Sequence, residues 1–343
     1  MPFALIYWLV IVVRSWLYDK KYFQSVSFGL PVICVGNLSV GGTGKSPMVE
    51  YLIEMLKSDF KVATLSRGYK RKTKGYALAD KESTALEIGD EPMQFHLKFP
   101  DVPVAVGEKR NEAIPQLLHD RGETQAIILD DAFQHRQIKP GLNILLTDYN
   151  NLFTRDFYLP AGDLRDLKAN YKRADIIIVT KCNTRVTKKE SDDIIAEIKP
   201  LNNQQIFFTT LDYGQMYHIT GKPDFVLTEN TEVLLVSGIA NPKSLQQMLE
   251  KNCKTYSMIH YPDHHIFTID DLKDIKNKFQ TMEGNNKIIL STEKDAVRLA
   301  KFKSAVHELP LFIIPIRHRF LFDGAEQFNR LVTNFIKDFK KAG

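Results

Sequence analysis

The sequence lacks the features of a disulfide-stabilised or zinc-binding protein. It contains only three cysteines, Cys34, Cys182 and Cys253, and no two of them are separated by two residues. An odd number of widely spaced cysteines suggests neither a disulfide framework nor a zinc site. This pattern is typical of a protein from a reducing compartment, and we expect a cytosolic location.

The chain also has no large excess of charge of one sign, and long apolar runs are scarce. The chain has 46 basic and 41 acidic residues, and its net charge of +5 does not indicate a nucleic-acid partner. This mild basicity allows binding to an acidic membrane surface or to a phosphorylated substrate. No internal repeat or low-complexity tract occurs. A hydrophobic content of 44% over 343 residues therefore indicates an ordinary globular protein of two domains.

The N-terminal segment is the most apolar part of the chain, but it is short for a membrane span. Residues 3–13 are uninterruptedly apolar, Arg14 follows them, and Lys20 and Lys21 end the segment. A spanning helix needs about 20 apolar residues, and a signal peptide carries its basic residues before the apolar run. We therefore predict that residues 1–25 form a helix that dips into one leaflet of a membrane. A buried core helix and a true span or signal anchor are the alternatives.

The rest of the chain is organised around residues 31–47. The apolar run Val32–Val35 predicts a buried strand, a glycine-rich turn follows, and apolar residues then recur at helical spacing. Glycines allow the backbone N–H groups to point at one centre, and the helix adds its positive dipole end. Lys45 supplies a cation for phosphates and Ser46 a hydroxyl for Mg²⁺. The predicted nucleotide-binding residues are Ser39, Val40, Gly41, Gly42, Thr43, Gly44, Lys45 and Ser46.

This phosphate loop departs from its consensus at one position. The pattern G-x-x-x-x-G-K-[ST] requires glycine where the chain has Ser39. A turn that is rich in glycine only for bending is the alternative interpretation. The position of the loop between a predicted strand and a predicted helix favours phosphate binding.

Two acidic pairs are candidates for catalysis or metal binding. Asp130 and Asp131 follow the apolar run 126–129, and such a strand end places a carboxylate beside a phosphate loop for Mg²⁺. Asp90 and Glu91 stand between a glycine and a helix-starting proline. They form either the acidic N-terminus that a helix dipole favours or a site near the phosphates that supplies a general base or a metal ligand.

Two further loops carry polar side chains whose role the pattern leaves open. His264 and His265 follow Asp263, which indicates a catalytic or metal-binding loop. Alternatively, this loop caps the next helix. No other cysteine or histidine lies nearby at metal spacing, so we do not expect zinc. The basic loop 70–75 is either solvated or contacts lipid headgroups or a substrate phosphate.

Alternating strands and helices predict an α/β fold with a doubly wound, mostly parallel sheet. Ligands then bind at the carboxyl ends of the strands, where these motifs fall. The pattern restarts near residue 205. We therefore predict a phosphate-loop domain over residues 26–204 and a smaller α/β domain over residues 205–343, which includes a linker and a closing amphipathic helix.

Taken together, these motifs resemble the tetraacyldisaccharide 4'-kinase family of lipid A biosynthesis. The similarity rests on VGNLSVGGTGKSP from Val35, LSRGY from Leu65, GDEP from Gly89, DDAFQH from Asp130, LPAG from Leu159, GIANP from Gly238, PDHH from Pro262 and TEKD from Thr292. The blocks follow the family order over nearly the whole chain. Ala132 replaces an expected glycine, and Asp163 and Asp166 stand in a loop that more often has proline and glutamate.

The resemblance implies a kinase that uses ATP and Mg²⁺. It would transfer the γ-phosphoryl group to the 4'-hydroxyl of tetraacyldisaccharide 1-phosphate, which gives lipid IVA. It implies a position on the cytosolic face of a bacterial inner membrane, with the lipid substrate and the membrane surface as partners and no evident protein partner. The implied catalytic residues are Asp90, His264, His265 and Lys45, and the implied metal ligands are Ser46, Asp130, Asp131 and Glu91.

Two hypotheses from other classes compete with a lipid kinase. A membrane-bound P-loop switch ATPase would often have a lysine where this chain has Val40, and it would lack the Asp-His-His loop. An inactive, purely lipid-binding relative would have no need of intact Lys45, Ser46, Asp90 and Asp130. Both hypotheses therefore explain the sequence less well.

Overall fold

The structure, a computed structural model, describes residues 2–221, 224–239 and 241–339 and alternates strands with helices. The helices are α1 (Pro2–Asp19), α2 (Lys45–Leu56), α3 (Ala85–Ile88), α4 (Asp90–Lys98), α5 (Arg110–Asp120), α6 (Lys188–Ile198), α7 (Lys243–Asn252), α8 (Ile269–Gln280), α9 (Glu293–Leu299), α10 (Lys303–His307) and α11 (Gly324–Lys337). Two 3₁₀ helices span Lys168–Arg173 and Ala300–Phe302. The strands are β1 (Val32–Asn37), β2 (Val62–Ser66), β3 (Ala77–Leu78), β4 (Val104–Val106), β5 (Ala126–Asp130), β6 (Leu142–Asp148), β7 (Ile176–Thr180), β8 (Gln205–Tyr213), β9 (Met216–His218), β10 (Asp224–Phe225), β11 (Glu232–Ser237), β12 (Thr255–His260), β13 (Lys287–Thr292), β14 (Leu311–Ile314) and β15 (Ile316–Phe320).

The larger of two sheets has nine strands among the described residues, in the order β15-β8-β7-β6-β1-β5-β2-β4-β3. The inner pairs are parallel, and only the edge strands β15 and β3 run antiparallel to their neighbours. Strand β1 lies between β5 and β6, so the phosphate loop leaves the middle of the sheet. This confirms the predicted doubly wound, mostly parallel α/β fold.

Burial on both faces explains why the central strands are uninterruptedly apolar. Along β1, Ile33 and Val35 pack in one layer with apolar residues of α2, α4 and α11. Val32 and Cys34 point to the opposite layer, which contains residues of α5 and α6. Residues 32–35 of the strand therefore carry apolar side chains at every position, whereas its last two residues are Gly36 and Asn37.

The smaller sheet has six strands in the described residues, in the order β10-β9-β14-β13-β11-β12. Strands β14, β13, β11 and β12 are mutually parallel, which makes this a second α/β unit. Helix α7 covers one face through Leu245 and Leu249, while α8 covers the other through Leu272 and Ile275. The carboxyl ends of β11 and β12 carry the loops with Gly238 and His264.

The sheets divide the chain differently from the predicted boundary at residue 205. Strand β8 pairs in parallel with β7 of the larger sheet, and β15 pairs with β8. Helix α11 then packs on the same sheet through Phe328 and Val332. The strands of the smaller sheet therefore lie between residues 216 and 314, as an insertion between β8 and β15. The local pattern of β8 predicts a strand but contains no information about its partner strand.

Helix α1 is attached to the larger unit along one side only. Ile11, Ser15 and Tyr18 are buried against it, and Arg136 donates a hydrogen bond to the Ser15 carbonyl at 3.1 Å. The exposed residues of the helix are mainly apolar, namely Phe3, Leu5, Ile6, Trp8, Leu9, Val10, Val13 and Trp16. Among the described residues, no helix combines the length and the hydropathy that crossing a membrane would require.

Candidate active site

The phosphate loop connects β1 to α2 in a conformation that requires glycine. Gly41 and Gly44 have φ angles of 96° and 84°, in the region that disfavours other residues. A Cβ atom on Gly44 would also lie only 3.0 Å from the ring of His318. Position 44 therefore needs glycine for its backbone conformation and for the space beside it.

Two residues outside the motif support this loop from distant strands. His318 on β15 places Nε2 2.9 Å from the Gly44 carbonyl oxygen and Nδ1 2.9 Å from the Thr209 hydroxyl. Burial lowers the pKa of His318 to about 4, so the ring is neutral and its Nε2–H donates to that carbonyl. Thr180 at the end of β7 donates to the Thr43 carbonyl at 2.9 Å. Sequence analysis did not identify His318 or Thr180 because neither belongs to a local motif.

Lys45 lies in the first turn of α2, next to Asp131. Its Nζ atom is 3.7 Å from Asp131 Oδ1, and Arg165 donates to Asp131 Oδ2 at 3.1 Å. Burial lowers the pKa of Lys45. Burial would raise the pKa of Asp131, but Lys45 and Arg165 together hold it below its usual value. Asp131 is therefore ionised, and two cations of the protein share its charge.

Asp130 has a different environment from its neighbour. It is buried at the end of β5, where Oδ2 accepts a hydrogen bond from Ser66 at 3.3 Å. Its buried Oδ1 has no hydrogen-bond partner among the described residues. Burial, together with the nearby charges of Asp131 and Glu91, raises the pKa of Asp130 to about 7. A desolvated carboxylate oxygen without a partner suits a hard divalent cation.

The residues present fit a partial magnesium site that a nucleotide would complete. The described residues contain no group of three or more His, Cys, Asp or Glu side chains arranged to hold a metal. Mg²⁺ commonly takes only one or two carboxylates and fills its remaining positions with water and phosphate oxygens. Asp130 and Ser46 suit that role. Of the other two predicted ligands, Asp131 is paired with Arg165, and Glu91 accepts a hydrogen bond from Lys294 at 2.9 Å.

Asp90 and one of the two predicted histidines meet across the units. Asp90 begins α4 in the larger unit, whereas His264 lies in the loop after β12 of the smaller one. Nδ1 of His264 is 2.9 Å from Oδ2 of Asp90. His265 instead places Nε2 2.9 Å from Asp271 Oδ2 and stacks on Tyr261 with ring centroids 4.5 Å apart. The two histidines therefore have different hydrogen-bond partners, and this difference could not be predicted from the sequence alone.

Helix α9 adds two cations that sequence analysis did not identify as site residues. Arg298 donates from Nε and Nη2 to Asp90 Oδ2 at 2.9 and 2.8 Å, and Lys294 pairs with Glu91. Burial would raise the pKa of Asp90, but hydrogen bonds from His264 and Arg298 lower it below its usual value. The sequence feature that could have identified these two residues is the i,i+4 spacing of Lys294 and Arg298, which places both on one helix face.

The basic loop 70–75 is anchored by one of its own cations. Arg71 is paired with Glu108 at 2.7 Å, and the Gly75 N–H donates to the same carboxylate at 2.9 Å. The loop lines an open cavity of about 370 Å³. The lysines of this loop, Lys70, Lys72 and Lys74, remain exposed.

Known proteins match this chain over almost its whole length. A family model described as Tetraacyldisaccharide-1-P 4'-kinase matches residues 1–337. A tetraacyldisaccharide 4'-kinase of Flavobacterium johnsoniae is 45% identical over 338 residues, which cover 98% of this chain and 96% of that protein. The corresponding kinase of Bacteroides thetaiotaomicron is 42% identical, with 98% and 92% covered. The crystal structure of LpxK from Aquifex aeolicus in complex with ATP matches at a TM-score of 0.76 and 28% identity over 98% of both chains. The chain therefore belongs to the tetraacyldisaccharide-1-phosphate 4'-kinase family.

Proposed function

We propose that this protein transfers the γ-phosphoryl group of ATP to the 4'-hydroxyl of tetraacyldisaccharide 1-phosphate, which forms lipid IVA in lipid A biosynthesis. Family membership over nearly the whole chain supports the acceptor, and the ATP-bound relative supports the donor. The observation that carries the proposal is the contact between Asp90 and His264, at 2.9 Å, in a structure that also has an intact phosphate loop. A nucleotide switch would have no use for such a pair.

The phosphate loop positions the donor. Its backbone N–H groups and the N-terminus of α2 would bind the phosphates, and Lys45 would neutralise charge on the outer ones. Asp130 and Ser46 would hold Mg²⁺, with Asp131 beside them, and the bound ion would neutralise charge on the transferred group. In support of this, Oδ1 of Asp130 is buried and has no hydrogen-bond partner in the part of the chain that the structure describes.

Asp90 acts on the acceptor. In the transfer, the 4'-hydroxyl gives its proton to Asp90, and its oxygen forms the new bond to the γ-phosphorus. The bond between that phosphorus and the bridging oxygen breaks, and ADP leaves with the electron pair. His264 orients the carboxylate through its hydrogen bond, while His265 supports the loop through Asp271.

Incubation with radiolabelled ATP and the tetraacyl disaccharide phosphate, followed by separation of the lipids, tests the function. We expect label in one new lipid that carries an additional phosphate. Lipid IVA itself should accept no label, because its 4'-hydroxyl is already phosphorylated. Hydrolysis of ATP without a labelled lipid would instead favour the switch ATPase.

Replacement of Lys45 by alanine is expected to lower kcat/KM by roughly 10²-fold or more, because it removes the only cation of the loop. Steady-state kinetics with variable ATP measures this loss. Lys57→Ala is the matched control, since Lys57 follows the opposite end of the same helix, where it contacts Glu54 and the ring of Phe99. Activity of the Lys45 variant within a few-fold of wild type would remove this residue from the mechanism.

We further propose that α1 attaches the enzyme to the cytosolic face of the inner membrane. Its apolar, exposed surface supports this. Deletion of residues 1–18 is expected to move the protein from the membrane pellet to the soluble fraction, with ATP binding retained.

A triple variant separates membrane attachment from folding of the helix. Replacement of Leu5, Leu9 and Val13 by glutamine changes only exposed positions and keeps the buried residues Ile11 and Tyr18. This triple variant should also leave the membrane fraction when vesicles are sedimented. Full sedimentation of both proteins would show that another surface is the anchor.

A further inference from the structure

Three hydrogen-bond donors converge on a single oxygen of Asp90. His264 Nδ1, Arg298 Nε and Arg298 Nη2 lie 2.9, 2.9 and 2.8 Å from Oδ2. Among the described residues, no hydrogen bond reaches Oδ1 of the same carboxylate. The two oxygens are therefore inequivalent, because one is saturated by the protein and the other is free.

The position of Arg298 is itself fixed by a buried carboxylate of the smaller unit. Its side chain is only 5% exposed, and Nη1 donates to Asp295 Oδ1 at 3.2 Å. Asp295 is fully buried and accepts hydrogen bonds from the Gly238 N–H at 3.1 Å and the Thr292 hydroxyl at 2.8 Å. The guanidinium is thus a fixed part of the smaller unit, unlike a surface arginine that pays rotamer entropy for each contact.

We propose that Arg298 is a positioning residue, which fixes the Asp90 carboxylate so that Oδ1 alone accepts the proton of the acceptor hydroxyl. This inference rests on the proposed kinase function. A single hydrogen bond from His264 would leave the carboxylate free to rotate about its Cβ–Cγ bond. Two further N–H groups of a planar guanidinium hold Oδ2 in place, and this also fixes the direction of Oδ1.

The same contact joins the proton acceptor to the smaller unit. Asp90 belongs to α4, whereas Arg298, Asp295 and His264 all belong to the smaller unit. Asp90 is therefore oriented only when the two units are together, as they are in this structure. A wrong orientation of the Asp90 carboxylate would lower the rate, since misplacing a catalytic group can cost roughly 10²-fold.

Replacement of Arg298 by alanine is expected to lower kcat by roughly 10–100-fold, while KM for ATP stays within a few-fold of wild type. Arg298→Lys should recover part of this loss, because an ammonium group can reach Oδ2 but cannot hold it with two N–H groups. The kinetics use the full-length enzyme with labelled ATP and the tetraacyl acceptor, and circular dichroism gives Tm for each variant.

A double-mutant cycle with Asp90→Asn separates positioning from a structural role. If Arg298 acts through Asp90, Arg298→Ala should change the residual rate of Asp90→Asn by less than about 3-fold. Lys98→Met is the matched control. Lys98 also joins the units, through Glu50 and Glu293 at 2.6 Å each, but does not contact Asp90. Its effect on kcat should be the same with and without Asp90.

The outcomes distinguish the inference from the function on which it rests. Wild-type enzyme that labels no lipid would overturn the proposed function and this inference with it. An active wild type in which Arg298→Ala costs the same factor in both backgrounds would overturn the inference alone. A loss of kcat that occurs only when Asp90 is present would support it.

Discussion

Asp90→Ala is expected to lower kcat by roughly 10²–10⁴-fold, the usual effect of losing a general base, while the affinity for ATP stays within a few-fold of wild type. The phosphate loop and Lys45 form a separate part of the site that contacts Asp131 and not Asp90. Nucleotide binding should therefore be unaffected. Single-turnover kinetics with saturating ATP, together with direct titration of the nucleotide, measures both quantities.

His264→Ala is also expected to lower kcat, and the double variant should be scarcely worse than the less active single variant. Residues that act as one unit are strongly non-additive, because losing either one already removes the function of the pair. If Asp90 were only a helix-end charge and His264 only a turn residue, Tm would fall and turnover of the folded protein would stay near normal. Rate losses that multiply would contradict the coupled pair.

His265→Ala is the matched control for the proposed catalytic pair of Asp90 and His264. His265 occupies the adjacent position in the same loop, but its hydrogen bond goes to Asp271 at the N-terminus of α8. Its loss should lower Tm and leave kcat near the wild-type value. A loss of kcat as large as that of His264→Ala would show that the contacts of the two histidines do not separate their roles.

The residues that sequence could predict are those whose function depends on local geometry. A strand, a turn with Gly41, Gly42 and Gly44, and a helix start lie within residues 31–47, so chain connectivity alone brings the predicted phosphate-binding groups together. Asp130 could be predicted from the sequence for the same reason, since it ends an apolar strand. That strand, β5, lies beside β1. The class of fold followed from the alternation of strands and helices.

The residues that sequence could not predict come from strands and helices far away along the chain. His318 supports Gly44 from β15, which returns to the larger sheet only after the whole smaller unit. Arg298 reaches Asp90 across 208 positions of sequence. Both depend on which strands and helices become neighbours, and a local pattern of apolar and polar residues does not contain that information.

Asp130→Asn is expected to lower kcat/KM by roughly 10³-fold, as loss of a metal ligand does. In the absence of nucleotide and Mg²⁺, the same substitution is expected to stabilise the protein. Burial raises the pKa of Asp130 to about 7. A raised folded-state pKa means that ionisation opposes folding, so its cost is absent below pH 4 and complete above about pH 7. Tm of the variant should exceed wild type by roughly 3 °C or more at pH 8, and the difference should shrink towards pH 5.

Asp131→Asn is the isosteric control, and its effect on stability should have the opposite sign. Lys45 and Arg165 hold the pKa of Asp131 below its usual value, so ionised Asp131 stabilises the fold. That contribution is present above pH 4 and is lost as the pH falls through the lowered pKa. Thermal unfolding in EDTA should therefore show Tm below wild type for Asp131→Asn and above it for Asp130→Asn at pH 8. If both variants lower Tm equally, Asp130 is not the desolvated, unpartnered carboxylate that a divalent cation would complete.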